Sequence, residues 1–137
     1  MNRRITILSA VLASLLLTLL AAGCGGGGDP VNAGPVPWDG AYSGTYTGSE
    51  QGTFTFRIGT NGSITATANS PSVGTFPLTG TVTASGNVSI GGSGIGGGYT
   101  ITYTGTLVGE KPDITGSGTW TSTSGYTGTW SGARTGD

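Results

Sequence analysis

The chain predicts an all-β domain, an eight-stranded antiparallel up-and-down meander that closes into a small barrel, and three observations carry that prediction. From Trp38 onward apolar residues recur at every second position between turn signals, the period of a strand with one buried face, and no segment there has the 3.6-residue period of a helix. The connections are all short, which forces neighbouring strands to run antiparallel. Glycines fall between aromatics on the apolar face, as in Tyr42-x-Gly44-x-Tyr46 and Gly128-x-Trp130-x-Gly132, so that each large ring has an empty neighbour across a narrow interior. A curved half-barrel or a two-sheet sandwich would satisfy the same alternation.

Ahead of the strands, the first residues have the parts of a secretory signal: a basic start at Arg3 and Arg4, an apolar run from Ile5 to Ala22, and small residues before a cysteine. Ala21-Ala22-Gly23-Cys24 resembles the lipobox of bacterial lipoproteins, in which the cysteine thiol is alkylated by a diacylglyceryl group and becomes the new N-terminus. The resemblance implies a signal peptide over residues 1–23, cleavage between Gly23 and Cys24, and a lipid anchor on Cys24. Residues 24–37, Gly-rich and then Pro-rich, read as the lipidated cysteine and its tether, leaving 38–137 as the domain. A bacterial cell-envelope location follows from the resemblance. Gly25 after the cysteine, where Asp would otherwise stand, goes with the outer membrane in enteric lipoproteins. Each buried methylene contributes about 0.8 kcal/mol, so two or three acyl chains hold a protein where one does not.

The strands are predicted in order. Tyr42, Gly44 and Tyr46 alternate with Ser43, Thr45 and Thr47, and Phe54, Phe56 and Ile58 alternate with Thr53, Thr55 and Arg57. Asn61-Gly62 accepts positive φ and turns the chain into Ile64, Ala66 and Ala68. A looser turn at Asn69-Ser70-Pro71 leads to Phe76, Leu78, Gly80 and Val82, where Pro77, without an N–H, marks an edge, a bulge or a point open to solvent. Val88 and Ile90 form a short fifth strand, and residues 91–98 are predicted as a loop. Gly92-Ser93-Gly94-Ile95-Gly96-Gly97 fits a dinucleotide fingerprint in letters only, because a strand and not a helix follows it. Tyr99 to Leu107 is the longest strand, Glu110-Lys111-Pro112-Asp113 turns it back through Ile114 to Trp120, and Tyr126 to Gly132 closes the sheet. Trp38 before the first strand and Arg134 in the last resemble the calycin arrangement of lipocalins, which implies that the two residues seal one end of the barrel.

Composition narrows the chemistry. The chain has 137 residues, of which 8% are charged, and beyond residue 23 the only basic ones are Arg57, Lys111 and Arg134. No basic surface for nucleic acid can be built from these. There is no histidine and one cysteine, so no His/Cys metal site, no Ser/His or Cys/His pair and no internal disulfide is expected, nor any cofactor. Arg57, a charge within a strand, would guard that strand or pair with Glu50. The expected function is non-catalytic: a structural or protein-interaction barrel anchored through Cys24. The alternative is a binding protein for a small apolar ligand in the interior. Tyr46, Tyr99, Tyr103, Trp120, Tyr126 and Trp130 are the candidate interior rings that decide between a filled and a hollow barrel. A hydrolase using Asp39, Glu50 or the Glu110/Asp113 pair is the third reading.

Overall fold

A computed structural model describes residues 35–137, and the signal peptide, Cys24 and the tether as far as residue 34 lie outside the described residues. The chain forms β1 (Gly40–Gly48), β2 (Gly52–Ile58), β3 (Ser63–Ser70), β4 (Gly74–Val82), β5 (Asn87–Ile95), β6 (Tyr99–Val108), β7 (Thr115–Ser122) and β8 (Thr127–Gly136). Each strand pairs antiparallel with the next, and β8 returns to β1 from Ala41↔Gly136 to Gly48↔Gly128, so the sheet is a closed barrel. Neither the half-barrel nor the sandwich is formed. Closure removes the free edges that would otherwise template aggregation.

Period-two patterning sets which side chains enter. Tyr42, Tyr46, Phe54, Phe56, Ile58, Ile64, Phe76, Leu78, Val88, Ile90, Tyr103, Leu107, Trp120 and Trp130 are buried, while Thr and Ser hold the outward positions between them. At the far side of the core the sequence Gly-Thr-Trp occurs twice, at 118–120 and 128–130, and register places Trp120 opposite Gly128 and Gly118 opposite Trp130. The Trp130 ring lies across Gly105, Gly116 and Gly118, and its Nε1–H donates to the Thr104 carbonyl at 3.0 Å. Trp120 lies across Gly128 and donates to the Thr47 carbonyl at 3.0 Å. Each indole therefore crosses a bare strand to reach an acceptor on the next one. A buried indole N–H without an acceptor would cost about 1–3 kcal/mol, and the glycines are what let the ring approach.

The structure corrects the fifth strand. β5 runs on to Ile95, where residues 91–98 were expected to be a loop, because its second half pairs with β6 through Gly91↔Thr102, Gly92↔Ile101 and, past a bulge, Ile95↔Tyr99. Its pairing with β4 stops at Thr79↔Gly91. Pro77 thus sits where the β4–β5 ladder has ended and its missing N–H costs nothing there.

The barrel has two unlike ends. At the near end, where residue 35 enters, Val36 is buried and its N–H donates to the Thr60 carbonyl at 2.9 Å. Pro35 to Pro37, expected as tether, belongs to the domain. The hairpins at Gly59–Gly62, Thr83–Gly86 and Gly109–Asp113 share this end. The far end carries the four remaining connections, after β1, β3, β5 and β7.

Candidate functional site

The interior is filled. Between Phe54, Phe56, Ala66, Leu78, Ile90, Tyr103 and Trp130 there remains a cavity of about 10 Å³, at the ~10–15 Å³ needed for the centre of a single water. Ring-on-ring contacts take up the space: Tyr42 stacks on Phe56 at 4.7 Å, Tyr46 meets Trp120 and Tyr103 edge-on at 5.7 and 5.9 Å, and Phe54 meets Trp130 edge-on at 5.8 Å. Of the six rings expected inside, Tyr46, Tyr103, Trp120 and Trp130 are buried. Tyr99 and Tyr126 are not, being 45% and 52% exposed. Both keep the inward parity of their strands, but Tyr99 is the first residue of β6 and Tyr126 precedes β8, so their rings rise past the far rim.

Among these rings the phenols behave alike. Burial pushes Tyr42, Tyr46 and Tyr103 upward from the ordinary phenol range. Tyr42 Oη donates to the Trp38 carbonyl at 2.7 Å and Tyr46 Oη to the Asn69 carbonyl at 3.3 Å. Tyr103 Oη is buried without a partner among the described residues.

Trp38 and Arg134 both lie at the near end, where they make separate contacts and do not stack as one unit. Trp38 packs over Gly86 and its Nε1–H donates to the Ala84 carbonyl at 3.1 Å. The Arg134 side chain, 7% exposed, donates from Nε to the Asp39 carbonyl at 3.4 Å and pairs with Asp137. Asp39 in turn pairs with Lys111 at 2.5 Å, and that ammonium holds its carboxyl below the usual range.

The carboxylates are dispersed. Asp39, Glu110 and Asp113 lie at the near end, and Glu50 lies at the far end, where it accepts from the Ser70 and Ser72 hydroxyls. Arg57 does not reach Glu50, which is at the opposite end of the barrel. It donates instead to the Asp137 carbonyl at 3.0 Å. No two of the candidate carboxylates are hydrogen-bonded to each other among the described residues, and Asp39 is held below, not above, the usual carboxylate range by Lys111. Sequence reasoning missed Ser70, assigned to a turn but ending β3 at 1% exposure, and the reciprocal tryptophans, whose repeated Gly-Thr-Trp was the available signal.

No protein-family model matches the chain, and neither the curated proteins nor the solved structures return a match.

Proposed function

We propose that the protein is a non-catalytic lipoprotein of the bacterial cell envelope, anchored through Cys24, whose barrel serves as a rigid scaffold that displays its loops. The observation that carries the scaffold half is the packed interior: about 10 Å³ of space against the few hundred that enclose a small-molecule ligand, about 300–1,000 Å³. A hollow ligand carrier has little to stand on. The anchor half rests on the sequence Ala21-Ala22-Gly23-Cys24 and on the entry of the chain at the near end. From Cys24 to Pro35 the chain can stretch at most about 40 Å, so the anchor would keep the barrel within that distance of the membrane.

The test is metabolic labelling with a radioactive fatty acid in a bacterial host. The wild-type chain should take up label and sediment with membranes, while Cys24→Ser should do neither. Label retained by the variant, or a wild-type chain that stays unlabelled and soluble, would refute the anchor.

A further inference from the structure

Of the eight ladders that close the barrel, the one between β4 and β5 is the shortest. It holds four residue pairs, from Thr79↔Gly91 to Val82↔Val88, where the others hold six to eight. The cause lies in Pro77. The Thr83 N–H donates to the Asn87 carbonyl and the Val82 N–H to the Gly62 carbonyl, so along β4 the odd-numbered residues turn their backbone groups to β5 and the even-numbered ones to β3. After Thr79↔Gly91 the next doubly bonded pair would be Pro77 with Ser93, and proline has no N–H to give. Both strands run on, β4 back to Gly74 and β5 forward to Ile95, and over that length neither pairs with the other. The wall of the barrel therefore carries a seam towards its far end.

One flank of the seam is built to move. Of the seven residues Gly92–Gly98, five are glycine, and Gly94, Gly96, Gly97 and Gly98 have positive φ. A Cβ on Gly94, Gly97 or Gly98 would meet nothing within 4 Å, so the segment is loosely surrounded. It is held to β6 by Gly92↔Ile101 and, past the bulge, by Ile95↔Tyr99. Its tip lies beside the β3–β4 turn, where a Cβ on Gly96 would stand 3.2 Å from Val73. The one large side chain it carries is Ile95, which is 6% exposed and belongs to the core. We infer that Gly92–Gly98 is a hinged flap, with Ile95 as its plug, that swings away from β4 along the seam and opens the far end of the barrel. The glycines on either side of Ile95 absorb the backbone rotation. With no ladder to β4, release of the pairs with β6 is enough to free the segment. Pro77 sets the device, because it keeps the β4–β5 ladder from zipping past Gly91. Opening draws Ile95 out of the core and leaves an apolar mouth in its place. The flap goes beyond the scaffold reading and is independent of the lipid anchor.

The experiment is thiol labelling of the full chain in a Cys24→Ser background, so that an introduced thiol is the only one. Ile95→Cys puts it on the flap, and Ile90→Cys puts it at an equally buried position on the paired half of β5. Without denaturant, Ile95→Cys should react with a maleimide at least about tenfold faster than Ile90→Cys, because local opening is easier than global unfolding. Pro77→Val supplies the missing N–H on a strand-forming residue. It should slow the reaction at position 95 about tenfold and leave position 90 unchanged. The wild-type chain gives a readout free of core substitutions. The Ile101 and Tyr103 N–H groups face β5 in the same parity as Leu107, which donates to the Gly86 carbonyl. Ile101 lies opposite the flap, so its amide should exchange hydrogen at least about tenfold faster than that of Tyr103. Equal labelling at the two positions, equal exchange of the two amides, or labelling at position 95 that Pro77→Val leaves as fast overturns the proposal.

Discussion

Gly118 has no room for a side chain, whereas a Cβ on Gly91 would meet nothing closer than the Ile101 carbonyl oxygen at 3.4 Å. A Cβ on Gly118 would meet the Thr104 carbonyl oxygen, the Gly105 Cα at 2.5 Å and Trp130 Nε1 at 2.7 Å. Gly118→Ala must therefore push the indole off its acceptor or spread β6 from β7. The expected cost is about 3 kcal/mol, at the upper end of overpacking a filled core, and equilibrium denaturation in urea measures it. A change below ~0.5 kcal/mol, the range of an ordinary surface substitution, would mean that the rings are held loosely. The alternation of large rings with glycines was legible in the sequence because both are needed on one face of a narrow barrel. Which glycine serves which ring was not legible, since that depends on cross-strand register: Trp120 meets Gly128 and Trp130 meets Gly118 only once β7 and β8 are aligned. The exposure of Tyr99 and Tyr126 was hidden for a related reason. Parity predicts the direction of a side chain, but the height at which neighbouring strands stop decides whether it is covered.

At the scale of elements, the strands with strict alternation were readable almost to their ends, and β5 was not. Gly91, Gly92 and Gly94 carry no hydrophobic pattern, so their local signal is that of a loop; the ladder to β6 holds Gly91 and Gly92 in the strand, and Gly94, at φ +76°, lies in the bulge before Ile95. Pairing with a neighbour here overrides composition. The segment ahead of β1 was misread in the opposite sense. Its prolines suggested a spacer, but Val36 and Trp38 find partners on the hairpins at Thr60 and Ala84. The strap should consequently contribute to stability. Trp38→Ala is expected to lower it by about 2 kcal/mol, less than the ~3–5 of a fully buried aromatic because one face is exposed. Far-ultraviolet circular dichroism should stay that of the wild type while the urea midpoint falls. An unchanged midpoint would make the segment a passive leader.

Across the whole molecule the titrating groups predict an unusual pH profile. With no histidine or cysteine among residues 35–137, no side chain type of the domain has an ordinary pKa between about 5 and 9, so stability should be flat there. Burial raises the three buried phenols above the ordinary phenol value of about 10. Above that pH the unfolded chain releases protons that the folded chain retains, and stability falls as pH rises. Below it the contribution of these groups is fully present. Tyr103→Phe should make the alkaline decline shallower. It should also raise stability at neutral pH by about 1 kcal/mol, because it removes a buried hydroxyl that has no partner. Urea titrations at pH 7 and above pH 10 check both effects, and an alkaline slope identical in wild type and variant would show that Tyr103 ionises as freely in the folded state as in the unfolded one.

The strap also fixes how the domain would bear tension. Residue 35 leads through Asp39 straight into β1, which is zipped on one side to β2 and on the other to β8. A pull on residue 35 against the far end therefore acts along β1, and both ladders resist in shear, with their hydrogen bonds strained together, where a pull across the strands would open them one after another. Held at its far end and loaded at residue 35, the barrel meets the force along its stiffest direction.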